Sequence, residues 1–339
     1  MSKKTLPSPF SFFLGLLGSA VLLGLLAPTP ASADLVWDAE RGWRIEGGIL
    51  DRDNGEDRDT AAPTTALQLM NKGKELQEQG RQRAALRRYR QVIRRYDQSI
   101  FVPQALFQRG IIFQERKQWN KAMSAFNTIA REHPGFADFD ELIRRQFEIA
   151  EALQQGARLR LAGTLPGFRS KSSAVEFYED VIRNGPFTPY APRALVNIAE
   201  LELSRNNPEE AIDAFDRLIH EYPRSALAPE SYLGLAEAFA MLVSGPEYDQ
   251  SPTRQAISFY EDFLILFPDH EGVARAEEGL REMQEILARS KLVLAEFYHF
   301  RRRNETSARI FYNETITVSP QSEAAATARR RLAEMEESS

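Results

Sequence analysis

The chain of 339 residues contains no cysteine. Disulfide-stabilised scaffolds, thiolate zinc sites and thiol nucleophiles are therefore excluded. Only four histidines are present, and no two of them have the spacing of about three to five residues that a helical metal site requires. The sequence motifs of phosphate-binding loops, dinucleotide-binding folds, serine hydrolases and zinc peptidases are also missing. These absences favour a non-enzymatic protein without metal, cofactor or small-molecule substrate.

A long uncharged stretch near the N-terminus has the pattern of a secretory signal. Two lysines precede a strongly apolar segment, Phe10–Ala27, which is followed by two prolines and by the small residues Ala31-Ser32-Ala33. This order predicts a signal peptide over residues 1–33, cleaved between Ala33 and Asp34. The alternative is an uncleaved anchor, because about 18 apolar residues are just enough to span a bilayer. The protein is expected to be exported to the periplasm, which separates it from nucleic acid.

Six copies of one pattern organise the rest of the chain. Each copy has an alanine, an aromatic residue four positions later, an apolar or small residue at eight and, except in the first copy, a proline at twelve. Residues four apart share one helix face, so each copy predicts a helix that buries this stripe. The small alanine permits close packing, and the aromatic residue is expected to fill the space between successive hairpins. The aromatic residues predicted to be core are Tyr89, Phe126, Tyr178, Phe215, Tyr260 and Tyr312.

Each copy is preceded by another amphipathic stretch, which predicts a helical hairpin. These stretches span residues 65–79, 103–117, 140–161, 191–205, 229–242 and 271–302. Repeated hairpins of this kind are typical of tetratricopeptide repeats, whose period is about 34 residues. Longer spacings between some copies indicate inserts, and residues 163–171 and 245–252 are predicted to be loops. The sequence therefore predicts an all-α superhelical solenoid of about six hairpins, with residues 322–335 as a C-terminal capping helix.

Charge is distributed unevenly along the chain. Residues 64–131 hold fourteen basic and four acidic residues, a net charge of +10, whereas residues 132–339 have a net charge of −12. Residues 64–135 are therefore predicted to form a basic pair of repeats, ahead of the remaining repeats in residues 136–339. A basic surface attracts phosphates, anionic lipid or an acidic peptide. Alternatively, it is a solvated surface that neutralises the acidic residues 51–59.

Residues 34–63 do not follow the repeat pattern. Trp37 and Trp43 each lie beside apolar residues within residues 34–48, which predicts either a short β-hairpin or an extended arm. The residues that follow are predicted to be a charged linker. An arm of this kind is either a docking element or a cap for its own solenoid.

Two turns between the predicted hairpins resemble those of a known family. Residues 186–190 read Pro-Phe-Thr-Pro-Tyr, and residues 222–229 read Tyr-Pro-Arg-Ser-Ala-Leu-Ala-Pro. Further on, the long predicted helix contains Ala-Glu-Phe-Tyr at residues 295–298, and three arginines follow this tetrapeptide at residues 301–303. In these turns and in this order of elements, roughly residues 147–335 resemble the BamD (YfiO) family of outer-membrane assembly proteins.

The resemblance implies a periplasmic scaffold, peripheral to the outer membrane, that binds the barrel-assembly protein BamA and unfolded barrel precursors. Known members typically carry a lipidated cysteine after the signal, so the arm that starts at Asp34 is a candidate tether in its place. The basic pair of repeats has no counterpart in the short form of the family. The alternative function is that of an envelope interaction protein that coordinates cell-wall synthesis or division, resembling CpoB.

The residues expected to contact a protein partner lie in the first of these turns and at the end of the long helix. For the turn, the alternative is local packing. For the arginines, the alternative is a solvated helix end, where the helix dipole favours positive charge. Asn304 is predicted to start the next helix. The expected binding residues are Phe187, Pro189, Tyr190, Tyr298, Arg301, Arg302 and Arg303.

Overall fold

The computed structural model describes residues 34–38, 42–46, 61–161, 165–169 and 171–337. The predicted signal peptide and most of the charged linker lie outside the described residues, as does Ala33 of the predicted cleavage site. The chain divides into two compact units, residues 1–57 and residues 58–339. Within the described ranges, no helix is both long enough and apolar enough to cross a membrane.

The first unit contains an antiparallel β-hairpin. Its strands are β1 (Asp34–Asp38) and β2 (Gly42–Glu46). Trp37 pairs with Trp43 across the hairpin, and Leu35 pairs with Ile45. Aromatic and β-branched residues favour strands, which accounts for the pairing. Of the two predicted alternatives, the structure has the hairpin.

The second unit contains thirteen α-helices over its described residues. Consecutive helices pack as six hairpins, from α1–α2 to α11–α12, and α13 follows at the position of the predicted capping helix. The structure confirms the predicted all-α tetratricopeptide-repeat solenoid. The helices are α1 (Ala61–Glu78), α2 (Gln82–Arg95), α3 (Val102–Glu115), α4 (Trp119–Glu132), α5 (Phe139–Gln154), α6 (Lys171–Asn184), α7 (Tyr190–Leu203), α8 (Pro208–Glu221), α9 (Ala228–Met241), α10 (Ser251–Leu266), α11 (Val273–Glu296), α12 (Glu305–Val318) and α13 (Glu323–Glu337).

The repeated aromatic residues form the core, as predicted, and all six are buried. The rings of Phe215 and Tyr260 lie against glycines in the first helix of the next hairpin, which confirms the predicted position between successive hairpins. The rings of Tyr89 and Phe126 lie instead against glycines in the first helix of their own hairpin. A Cβ atom added to Gly110 would lie 2.2 Å from the Phe126 ring. The close approach of these helices therefore depends on glycine.

One predicted helix is wrong at its C-terminal end. The sequence predicts a helix over residues 140–161, but α5 ends at Gln154, and strand β3 (Arg158–Leu161) pairs with β4 (Leu165–Arg169). The predicted loop over residues 163–171 is wrong for the same reason. Gly156 ends the helix with a φ of +94°, a left-handed conformation that favours glycine. The alternation of arginine and leucine in β3 is a signal of period two, which the helical interpretation overlooked.

Several first helices of the hairpins end in the same way. In each case a residue with positive φ follows the last turn, and the next N–H donates to a carbonyl five residues earlier in the chain. The Gln118 N–H, for example, donates to the Phe113 carbonyl at 2.8 Å. This arrangement is a Schellman turn, which satisfies carbonyl groups that the helix leaves free. These residues are Gly80, Lys117, Gly156 and Asn206; Arg303 also has a positive φ, but the N–H that follows it donates to a carbonyl six residues earlier.

The long helix α11 continues into a π-helical turn, Phe297–Arg301. The N–H of Asn304 donates to the Tyr298 carbonyl at 2.9 Å, which reverses the chain toward α12. The side chain of Asn304 then accepts a hydrogen bond from the Ser307 N–H at 3.0 Å. Asparagine is among the best residues at this capping position, and the predicted helix start at Asn304 is confirmed.

Candidate functional site

An open groove of about 980 Å³ lies where the turn from α6 to α7 meets the turn from α8 to α9. Its walls are largely apolar, and Glu221, Arg193 and Arg224 add charged groups. A mostly apolar depression with a few polar groups is typical of a binding site. The apolar wall residues are Pro186, Phe187, Pro189, Pro192, Tyr222, Pro223, Ala226 and Leu227.

The two turns that form this groove are held together by Tyr222. Its hydroxyl group donates to the carbonyl of Pro186 at 2.8 Å. Burial raises the pKa of Tyr222 above its ordinary value, so the hydroxyl group keeps its proton and its hydrogen bond to higher pH than an exposed tyrosine does. The first turn is also closed by the Thr188 hydroxyl group, which donates to the Gly185 carbonyl at 2.7 Å. Since proline fixes φ, the walls have little freedom to collapse into the groove.

Phe187 presents its ring to solvent on this groove. The residue is 100% exposed, and Pro189 beside it is also exposed. Single exposed apolar residues are common on protein surfaces. An exposed ring on an already apolar groove is different, because both surfaces lose contact with water when one partner covers them.

Tyr190 does not line the groove, although the sequence groups it with Phe187 and Pro189. It is half-buried, and its ring packs on Phe147 with a centroid separation of 5.5 Å. The guanidinium group of Arg193 lies over the same Phe147 ring, 4.6 Å from its centroid. Tyr190 thus packs at the start of α7, and its predicted contact with a partner stays a prediction.

The other expected binding residues lie at the end of α11, away from the residues that line the groove. Tyr298 is half-buried and stacks on Phe311 with a centroid separation of 5.4 Å. The guanidinium group of Arg302 lies 5.5 Å from the centroid of the Phe297 ring. All three successive arginines, 301 to 303, are exposed. The end of α11 therefore carries three exposed positive charges. Tyr298 beside them is partly used in packing against Phe311.

Some residues of these surfaces escape the sequence analysis. Tyr222 lies in a turn whose sequence resembles that of the family. Its role is to hold the two turns of the groove together, and this depends on Pro186, which lies 36 residues earlier in the other turn. Phe297 and Phe300, near the arginines, are 42% and 53% exposed, and the guanidinium group of Arg331 of α13 lies over the Phe300 ring at 5.2 Å. The signal in the sequence for this second surface is the pair Phe297 and Phe300, three positions apart, directly before the three arginines.

Two sequence models of protein families match different parts of the chain. The model of YfiO, described as an outer membrane lipoprotein, matches residues 169–338. A tetratricopeptide-repeat model matches residues 70–135. The groove at the turns and the end of α11 both lie in the first of these segments, whereas the basic pair of repeats contains the second.

Individual proteins show weaker similarity. The outer membrane protein assembly factor BamD of Caulobacter vibrioides is 23% identical over 127 residues, which are 38% of this chain and 42% of that protein. The chain thus spans less than half the length of this relative. A thermophilic tetratricopeptide-repeat protein of Thermus thermophilus is 17% identical, with a TM-score of 0.29 over 63% of this chain and 98% of its own. A tetratricopeptide-repeat protein of Parabacteroides merdae is 11% identical, with a TM-score of 0.32 over 78% of this chain and 97% of its own.

Proposed function

Because the chain belongs to the YfiO family, we propose that it is a non-enzymatic scaffold for the assembly of outer-membrane β-barrel proteins. Its partners in this proposal are a BamA-like assembly protein and unfolded barrel precursors, which it meets at the periplasmic side of the outer membrane. The observation that carries the proposal is the apolar groove between the turns, with the fully exposed ring of Phe187. This groove lies within the residues that the family model matches.

The groove has the chemistry that an extended barrel strand requires. Strands of membrane barrels alternate apolar and polar side chains and carry aromatic residues near both membrane interfaces. An unfolded strand therefore offers every second side chain to an apolar wall. The prolines of the groove have no N–H group, so this wall presents apolar surface with few donors to desolvate. No chemical step is needed for such binding, which agrees with a scaffold.

Affinity capture from cross-linked envelopes, followed by mass spectrometry, tests the proposal. The baits are the unchanged chain, Phe187→Ala and a matched control, Ile265→Ala, which removes another exposed apolar side chain outside the groove. We expect Phe187→Ala to lose barrel-assembly protein and precursors about tenfold or more, since a central aromatic contact contributes about 2 kcal/mol. The control should capture as the unchanged chain does. Neither variant should alter thermal unfolding, because both side chains are solvated.

Two results would change the conclusion. Recovery of cell-wall synthases or division proteins without barrel proteins would favour the alternative function, coordination of cell-wall synthesis in the envelope. Equal capture by Phe187→Ala and the unchanged chain would show that the partners do not bind at this groove.

The arginines at the end of α11 are tested separately. Replacing Arg301, Arg302 and Arg303 by glutamate should weaken capture of a partner that docks there, because the replacement reverses three exposed charges. Undiminished capture would leave these arginines as a solvated helix end.

A further inference from the structure

A second groove, of about 550 Å³, lies among α2, α3 and α4 in the basic pair of repeats. Four cationic side chains line it, and no carboxylate side chain is among its lining residues. The segment lies outside the residues matched by the YfiO model. The proposed function therefore leaves this groove without a role. Its cations are Arg90, Arg109, Arg116 and Lys121.

These charges are not neutralised within the part of the chain that the structure describes. None of the four cations forms an ion pair with a described carboxylate group, although ion pairs are frequent elsewhere in the solenoid. Burial and the charges of Arg90 and Arg94 lower the pKa of Arg109. Like charges gathered in a recess repel one another, and a bound anion relieves that repulsion.

An aromatic ring lies among the cations. The guanidinium group of Arg109 and the ammonium group of Lys121 lie 5.6 Å and 5.7 Å from the centroid of the Phe113 ring. Such cation–π contacts hold long side chains in place. Phe113 is itself buried, so the cations surround an apolar floor. A ligand with carboxylate groups on a carbon chain suits this surface better than a small inorganic anion does.

The shape of the groove favours a peptide over a membrane surface. Arg109 lines the groove and is half-buried, so a flat array of lipid headgroups reaches it less readily than a single chain that enters the groove. One wall is a row of uncharged polar residues at successive turns of α4, namely Asn120, Ser124 and Thr128. Side chains of this kind donate to and accept from the main chain of an extended peptide.

The same row of α4 also lines a neighbouring groove of about 390 Å³, where the charge changes sign. That groove contains Glu176, Asp180 and Arg131, a net charge of −1; the Asp180 carboxylate accepts a hydrogen bond from Asn127 at 2.7 Å and forms an ion pair with Arg183. An acidic segment is therefore favoured more strongly beside α3 than beside α6.

We infer that the groove among α2, α3 and α4 binds an extended acidic peptide segment. The inference is independent of barrel assembly, because it concerns residues outside the family match and uses different side chains from the groove at the turns. Of the three ligands that the basic charge of this region attracts, namely phosphates, anionic lipid and an acidic peptide, the inference selects the acidic peptide.

Fluorescence anisotropy with a labelled peptide of alternating glutamate and alanine tests the inference on the full chain. The control peptide has glutamine in place of glutamate. The double variant Arg90→Glu/Lys121→Glu reverses two exposed charges of the groove. Arg254→Glu/Arg330→Glu makes the same change of net charge at exposed positions that do not line this groove. A milder pair, Arg90→Gln/Lys121→Gln, removes the two charges without reversing them, for the case in which the reversed charges impair folding.

We expect the acidic peptide to bind, with an affinity that falls as salt is added, and the glutamine peptide not to bind. Charge reversal in the groove should weaken binding at least tenfold, the glutamine pair severalfold, and the distant pair less than twofold. Equal losses in the groove and distant variants would indicate only long-range attraction and would overturn the inference. Preferential, groove-dependent binding of vesicles that contain phosphatidylglycerol, without binding of the peptide, would also overturn it, in favour of a membrane surface.

Discussion

The substitution Gly110→Ala tests the packing that holds the basic groove in place. Gly110 follows Arg109 in α3, and the Phe126 ring of α4 lies against it. An added Cβ atom would lie 2.2, 2.7 and 2.8 Å from three atoms of that ring. Carbon atoms in favourable contact are separated by about 3.5–4.0 Å. Either the ring or the whole of α3 must therefore move.

The expected magnitude follows from two opposing terms. Alanine is favoured over glycine in a helix interior by about 1 kcal/mol. Overpacking a well-filled core costs about 1–3 kcal/mol. Since three atoms of a fully buried ring overlap the new methyl group, we expect a cost near the upper end. The net result is a decrease of about 2 kcal/mol in the free energy of unfolding.

Urea denaturation followed by far-UV circular dichroism measures this change. Gly135→Ala is the matched control, because nothing lies within 4 Å of its added Cβ atom and its φ is outside the left-handed region. The control should raise stability by about 0.4–1 kcal/mol, through the unfolded chain. Adding Phe126→Leu to Gly110→Ala should recover at least about 1 kcal/mol relative to the sum of the single changes. A Gly110→Ala chain as stable as the control, or additive single changes, would refute the reasoning.

Two further predictions concern the other repeats. Arg303→Gly should raise the free energy of unfolding by about 1 kcal/mol, because Arg303 has a φ of +52° that glycine adopts without steric cost; unchanged or lower stability in urea denaturation would contradict this. Burial raises the pKa of Tyr260 and of Tyr312 to about 12, above the value of about 10 expected in the unfolded chain. Between about pH 10 and pH 12 the folded chain holds protons on these tyrosines that the unfolded chain has released. The contribution of the two tyrosines to the free energy of unfolding is therefore complete below about pH 10 and is lost as the pH rises through about 12. Spectrophotometric titration of tyrosinate in the unchanged chain and in the single variants Tyr260→Phe and Tyr312→Phe checks the two midpoints. Each variant should lose a titration step near pH 12, and loss of a step near pH 10 instead would contradict the prediction.

The regular part of the fold could be predicted because it repeats. A buried stripe of alanine and aromatic residues recurs in six helices, so one register accounts for most of the core. Breaks in that register could not be predicted in the same way. The helix that ends at Gln154 depends on Gly156, and the turn after α3 places Lys117 at positive φ, where sequence gives no clear signal. The π-helical turn at Phe297 also falls inside a continuous helical pattern.

The candidate site could be predicted only where one segment carries it. Phe187 and Pro189 belong to a single turn with a distinctive sequence, and both line the groove. Tyr222 is 36 residues from Pro186, and its hydrogen bond to that residue appears only when two hairpins stack. The basic groove shows the same limit. Its charge is evident from composition, but the gathering of Arg90, Arg109 and Lys121 in one groove requires three helices to be placed together.

The position of the apolar groove follows from the spacing of the repeats. Its walls include Pro186 and Pro223, the prolines that end the third and fourth copies of the repeated pattern. These copies are separated by 37 residues, without an insert, so their turns stack directly. The first and second copies have the same spacing, but the first has Asp97 where the others have proline. Every other pair of neighbouring copies is separated by a longer stretch. Two such prolines in adjacent copies at the short spacing therefore occur in the third and fourth copies alone, where the groove lies.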